Sequence, residues 1–172
     1  MTAAHERRIE RVGQAYKEAN ARFMARLATA SAEEAQRIAP DGGWSAAQIA
    51  WHVARVTDVF ADLVEGKRPS EPVAAGFRER PWAEIAASIP GRLTASRGVS
   101  PPDGVQRDDV LAALSASEAR LLAALLALTA ERGAGLAITH PAVGTVTLYQ
   151  LGEWATAHII RHNQQLKRVL GR

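Results

Sequence analysis

The chain has 172 residues, 47% of them hydrophobic, 23% charged and 5% aromatic, with a formal net charge of +3 and no cysteine. That length suits one domain over residues 1–172 with a sizeable core, and the charge fraction is that of a globular protein, not a disordered one. The missing cysteine excludes disulfides, thiolate metal sites, iron–sulfur clusters and a cysteine nucleophile.

Alanine supplies 35 residues and β-branched runs are few, so the composition favours helix. Over residues 6–29, Ile9, Val12, Tyr16, Ala19, Phe23 and Leu27 recur at steps of three and four, which predicts a first long helix with one buried face. Ser31 and Glu34 have capping-box spacing for a short helix stopping at Pro40, and Asp41-Gly42-Gly43 reads as a turn. A second long helix opens on Ser45 with Gln48 as reciprocal cap and Trp44 and Ile49 placed as a staple. Its stripe is Ile49, His52/Val53, Val56, Phe60 and Leu63, and Gly66 closes it. Residues 67–107 hold six of the eight prolines and form a long crossover with at most a short helix near 81–88. Asp108 or Asp109 opens a third long helix carrying Val110, Leu111, Leu114, Leu121, Leu125 and Leu128, with Gly133 at its end. The fourth repeats the device of the second. Thr147 and Gln150 are its box, Val146 and Leu151 its staple, and Leu151, Trp154/Ala155, His158, His162, Gln165 and Val169 its stripe, up to Gly171. No strand alternates convincingly. The expected fold is all-α, a four-helix bundle with the long crossover between its second and third long helices.

Without cysteine, metal chemistry must come from the five histidines and the carboxylates. His158 and His162 are four apart on one helix, so their rings project from one side. His52 lies on the inner stripe of another helix, and bundle cores build metal sites from facing helices. Three neutral imidazoles at about 2.0–2.1 Å leave an open position on a tetrahedral zinc ion, and the same donors suit nickel or iron. The other two histidines carry less. His140, before Pro141, is expected to bond local backbone rather than act as a gate or fourth ligand, and His5 in a charged terminus to be solvated. Arg55 and Arg161 each follow a site histidine by three residues and are the candidate groups for an acidic substrate. Their alternative is a surface ion pair, such as Arg55 with Asp58 or Asp62. Glu153 lies too far round its helix to ligate, and Trp44 and Trp154 read as core anchors.

Trp44-Ser45 leading to His52, the segment His140-Pro141-Ala142-Val143-Gly144-Thr145-Val146-Thr147, and Glu153-Trp154 with His158 and His162 followed by Gln165 resemble the DinB-like (DinB/YfiT) family. The resemblance runs over essentially the whole chain and is most specific over residues 140–165. It implies a four-helix bundle and a divalent metal, often zinc or nickel, held by His52, His158 and His162. It also implies a role as a thiol S-transferase using bacillithiol or mycothiol, and pairing as a homodimer, to which Leu122 and Leu126 on the outer face of the third helix would contribute. The sulfur of any such reaction must arrive as a cosubstrate, since the chain has none to offer as thiol.

The expected function is therefore a metal-dependent enzyme transferring a thiol to, or hydrolysing, a small electrophile; the alternative is a non-catalytic, metal-stabilised binding protein of the stress response. The pI of about 9.8 comes from arginines interleaved with acids (Arg7, Arg8 and Arg11 beside Glu6 and Glu10), not from a patch, so no nucleic-acid partner is expected. The longest unbroken apolar stretch, residues 121–128, is too short to span a bilayer, and the charged N-terminus lacks a signal-peptide core. No membrane partner is expected, and the default location is the cytoplasm.

Overall fold

Side-chain caps set the ends of the helices that carry the histidines. In the computed structural model, which describes residues 3–39, 42–91 and 93–171, all three capping boxes form. Ser45 accepts from the Gln48 backbone N–H at 3.2 Å while the Gln48 side chain accepts from the Ser45 N–H at 3.0 Å, and α3 (Ala46–Glu65) starts there. Thr147 and Gln150 exchange the same two bonds at the start of α7 (Leu148–Leu170). Ser31 and Glu34 do so for α2 (Ala32–Gln36). Gly66 and Gly171 close α3 and α7 in the left-handed conformation, at φ 80° and 70°. The stop at Pro40 and the first residue of the Asp41-Gly42-Gly43 turn lie outside the described residues.

Four long helices make the bundle: α1 (Ala3–Ala28), α3, α5 (Arg107–Ala127) and α7. Around the ring the order is α1, α5, α3, α7, so α1 lies diagonal to α3 and α5 to α7, whereas α3 and α7 are neighbours. This arrangement places the helix bearing His52 beside the helix bearing His158 and His162. The whole predicted stripe of α1, from Ile9 to Leu27, is buried, with Tyr16, Phe23 and Leu27 fully enclosed. Tyr16 spends its hydroxyl on Thr57 Oγ1 of α3 at 3.0 Å, and burial pushes the phenol pKa up.

Several expectations need correction. The third long helix ends at Ala127, not at Gly133, because the Thr129 side chain accepts from the Arg132 N–H and starts a separate helix, α6 (Ala130–Gly135). The segment before α7, where no strand is expected, is a β-hairpin: β2 (Leu136–His140) pairs antiparallel with β3 (Gly144–Thr147), Ile138 opposite Val146. The two-residue β1 (Glu71–Pro72) pairs with β2 on its other edge. These strands are too short for period-two alternation to show, and β3 runs straight into the α7 cap. His5 is buried, not solvated, and its Nδ1 meets the Tyr149 hydroxyl at 2.6 Å, since α1 begins early enough to pack its first turn against α7. Asp58 and Asp62 are taken by Arg120 of α5 (3.6 and 2.5 Å), not by Arg55.

Within the crossover, α4 (Trp82–Ser88) forms where a short helix is predicted, and a 3-10 turn follows at Arg97–Val99. By length and composition α5 is long and apolar enough to cross a membrane, which counting only unbroken runs overlooks because Ser and Glu interrupt its alanines and leucines. Here its inner face (Val110, Leu114, Leu121, Leu125) packs into the bundle, while Leu126 is 72% exposed. Leu122 is half-buried and faces Gly13 of α1, so it does not share the outer surface with Leu126.

Candidate metal centre

His52, His158 and His162 come together as predicted. Their ring centroids lie 5.0 Å (52–158), 4.8 Å (52–162) and 4.4 Å (158–162) apart, and His52 Nε2 is 3.1 Å from His158 Nε2. One nitrogen from each ring falls within 4.8 Å of the other two, and no carboxylate belongs to the group. Tetrahedral ligands at 2.0–2.1 Å from an ion lie roughly 3.4 Å from one another, so the three nitrogens need only small ring movements to share one.

The outer nitrogens of His52 and His162 are already engaged. His52 Nδ1–H donates to the Val99 carbonyl at 2.7 Å, and His162 Nδ1–H to Gln165 Oε1 at 2.9 Å. An acceptor at Nδ1 fixes the tautomer and leaves Nε2 as a lone pair facing inward, the arrangement metal-ligating histidines generally show. Burial holds all three rings neutral. It lowers the pKa of His52, lowers that of His158 further with help from His162 and His52, and takes His162 to about 4. Neutral imidazoles that each bring one nitrogen toward a common point fit a divalent cation, and the group is the one such cluster among the described residues.

The centre lies at the edge of the core. His52 and His162 are buried and Leu151 and Ala155 of the predicted stripe are enclosed, but farther along α7 the fully enclosed residues are Ile159 and Leu166, one position round from that stripe, and His158 is half-buried. Aromatic rings wall it: Trp44 stands 5.0 Å from His52, Phe60 6.4 Å from His158, and Trp154 5.1 Å from Phe60. Trp44 and Trp154 pack half-buried against the hydrophobic core, as expected of core anchors, and also belong to this wall. His140 accepts from the Ala142 backbone N–H at 3.1 Å and packs on Trp154 at 5.1 Å, the backbone role predicted for it. Glu153 faces α1, where Arg8 reaches it at 3.5 Å. Of the two arginines, Arg55 is exposed, and Arg161 donates to the carbonyls of Pro90 (3.0 Å) and Gly91 (2.6 Å). Sequence reasoning missed the Val99 carbonyl entirely. A backbone acceptor is offered by every residue and carries no signal in residue type.

The sequence profile of the DinB superfamily matches residues 15–166. The chain belongs to the DinB superfamily. Two solved structures share the fold of this DinB-superfamily chain. One is a conserved protein from Enterococcus faecalis, with TM-score 0.66 and 17% identity, covering 100% of this chain and 99% of that one. The other is YfiT from Bacillus subtilis, described as a probable metal-dependent hydrolase with an unusual four-helix bundle topology; it has TM-score 0.56 and 21% identity over 95% of this chain and 87% of its own. No curated protein matches the sequence.

Proposed function

We propose that this protein is a divalent-metal-dependent enzyme, using zinc or nickel at His52, His158 and His162, that transfers a low-molecular-weight thiol such as bacillithiol or mycothiol to a small electrophilic substrate. The observation that carries the reading is the convergence of three neutral imidazoles, two of which, His52 and His162, have their outer N–H groups held by Val99 and Gln165. Bound there, a divalent cation supplies Lewis acidity at the coordination position that three protein ligands leave open. The chain's own residues orient the rings and, through Trp44, Phe60 and Trp154, wall the site with apolar surface. No carboxylate in the group can serve as general base. Thiols ionise far more readily than water and need none, which favours thiol over water as nucleophile. Arg55, exposed and three residues after His52 on α3, is the arginine proposed to meet an acidic group on a substrate.

Hydrolysis is the second reading, supported by the description of YfiT as a probable metal-dependent hydrolase. Metal analysis of untagged protein beside His158→Ala tests the site: near-stoichiometric zinc or nickel lost in the variant is expected, and metal absent from both overturns the proposal. A panel of electrophiles offered with bacillithiol, mycothiol, glutathione or water alone then separates the reactions. Metal-dependent thioether product supports transfer, and product with water alone supports hydrolysis. Metal-dependent melting with no product from any pair identifies a metal-stabilised binding protein.

A further inference from the structure

We infer that the crossover is a strap whose seating and the loading of the three-histidine centre form one linked equilibrium, and that Arg161 is the positioning residue holding the strap at its α7 end. The inference rests on the metal-site reading above. Each helix that supplies a histidine also grips the crossover next to that histidine. On α3, His52 donates to the carbonyl of Val99, and Gln48, one turn earlier, donates its amide N–H to the carbonyl of Pro102 at 3.1 Å. On α7, Arg161 adjoins His162 and forks onto two successive carbonyls, Pro90 and Gly91. A planar guanidinium suits this grip, because its fixed fork offers one N–H to each of two neighbouring acceptors where an ammonium offers a single point. The strap is thus fastened at 90–91 by α7 and at 99 and 102 by α3, and between these points it delivers the acceptor that sets the His52 tautomer.

Two consequences follow from that connectivity. Seating the strap orients His52 Nε2 inward and favours the ion, and by reciprocity an ion that fixes His52 favours the seated strap by the same factor. Arg161 therefore acts on the centre through backbone, and its guanidinium is committed to the strap instead of a substrate anion. The 3-10 turn provides a reporter, since the amide N–H groups of Val99 and Ser100 both donate to the Ser96 carbonyl at 3.0 Å and exchange slowly only while the turn is formed.

Hydrogen exchange of the full chain with and without Zn²⁺, read at Val99 and Ser100, tests the linkage without any variant. Zinc titration of Arg161→Ala and Arg161→Lys tests the anchor. Expected are slower exchange at both amides in zinc-loaded wild type and a roughly tenfold weaker zinc affinity in Arg161→Ala. Arg161→Lys should restore only part of that loss, and metal-free melting should hardly change in either variant. Wild type that binds zinc with unchanged exchange at Val99 and Ser100 overturns the strap alone, as does an Arg161→Ala protein with wild-type zinc affinity. Wild type that binds no zinc overturns the metal-site reading as well.

Discussion

Burial does two opposed things to the histidine trio: it makes the rings better metal donors and makes their protonation costly. For His162 the folded pKa of about 4 lies below the ordinary value near 6.5, so the stability present above pH 6.5 is lost as the pH falls toward 4. The size of that loss for metal-free protein is about 3 kcal/mol, from 1.36 kcal/mol per pKa unit. Urea unfolding of the metal-free chain at pH 7.5, 5.5 and 4.5 should show the decline, and His162→Gln should make it shallower, leaving the part due to His52 and His158; a wild-type profile level through this window would mean that the rings are solvated. Gln165 gives a second handle. Its Oε1 accepts from His162 Nδ1–H, so Gln165→Leu should weaken zinc binding about tenfold while Gln165→Glu, which keeps an acceptor, should not. Calorimetric titration distinguishes them. Both effects concern groups four or fewer residues from a ligand, and Gln165 stood on the predicted stripe; its use as an acceptor became visible only with the ring orientation.

At the scale of elements, α7 carries most of the design. Its cap, Thr147 with Gln150, ends the β-hairpin and starts the helix in one residue, and the same Gln150 donates to the crossover carbonyl of Arg80 at 2.8 Å. Replacing Thr147 with Ala should cost about 1 kcal/mol by removing the acceptor for the Gln150 N–H. Gly152 inverts the usual helix rule. In an exposed helix Gly→Ala stabilises by about 1 kcal/mol, but here an added Cβ would stand 2.4 Å from Val12 Cγ1 of α1. Gly152→Ala should therefore destabilise, by about 1–3 kcal/mol, through forced separation of α1 and α7. Thermal melting of the two variants checks both signs. The caps and the stripes were legible in the sequence because their partners lie within four residues. The hairpin and the break at Thr129 were not, because strands of four or five residues and a single competing hydroxyl leave little periodic trace.

For the molecule as a whole, the ring order α1, α5, α3, α7 leaves α5 with an alanine-rich outer face on which Leu126 is the prominent apolar group. Pairing of two copies along that face is the expectation for solution, and it gives a definite outcome. Light scattering at micromolar concentration should report twice the chain mass, Leu126→Glu should shift it toward the single-chain mass, and a wild-type monomer would set the homodimer aside. Arg120 ties α5 to Asp58, Asp62 and Glu65 of α3, which fastens these two neighbouring helices to each other.

Sequence alone determined the four long helices, their caps, the long proline-rich crossover and the three histidines that belong on inward stripes. All of these follow from local rules: a 3.6-residue period, hydrogen bonds three or four residues long, and the backbone restrictions of proline and glycine. Tertiary structure decided that α3 neighbours α7, that His5 is buried against Tyr149, that the C-terminal half of the α7 face turns through Ile159 and Leu166, and that Val99 reaches His52. Neighbour choice is set by the summed packing of whole faces, and a carbonyl is the same on every residue, so neither leaves a mark that one chain read in order can display.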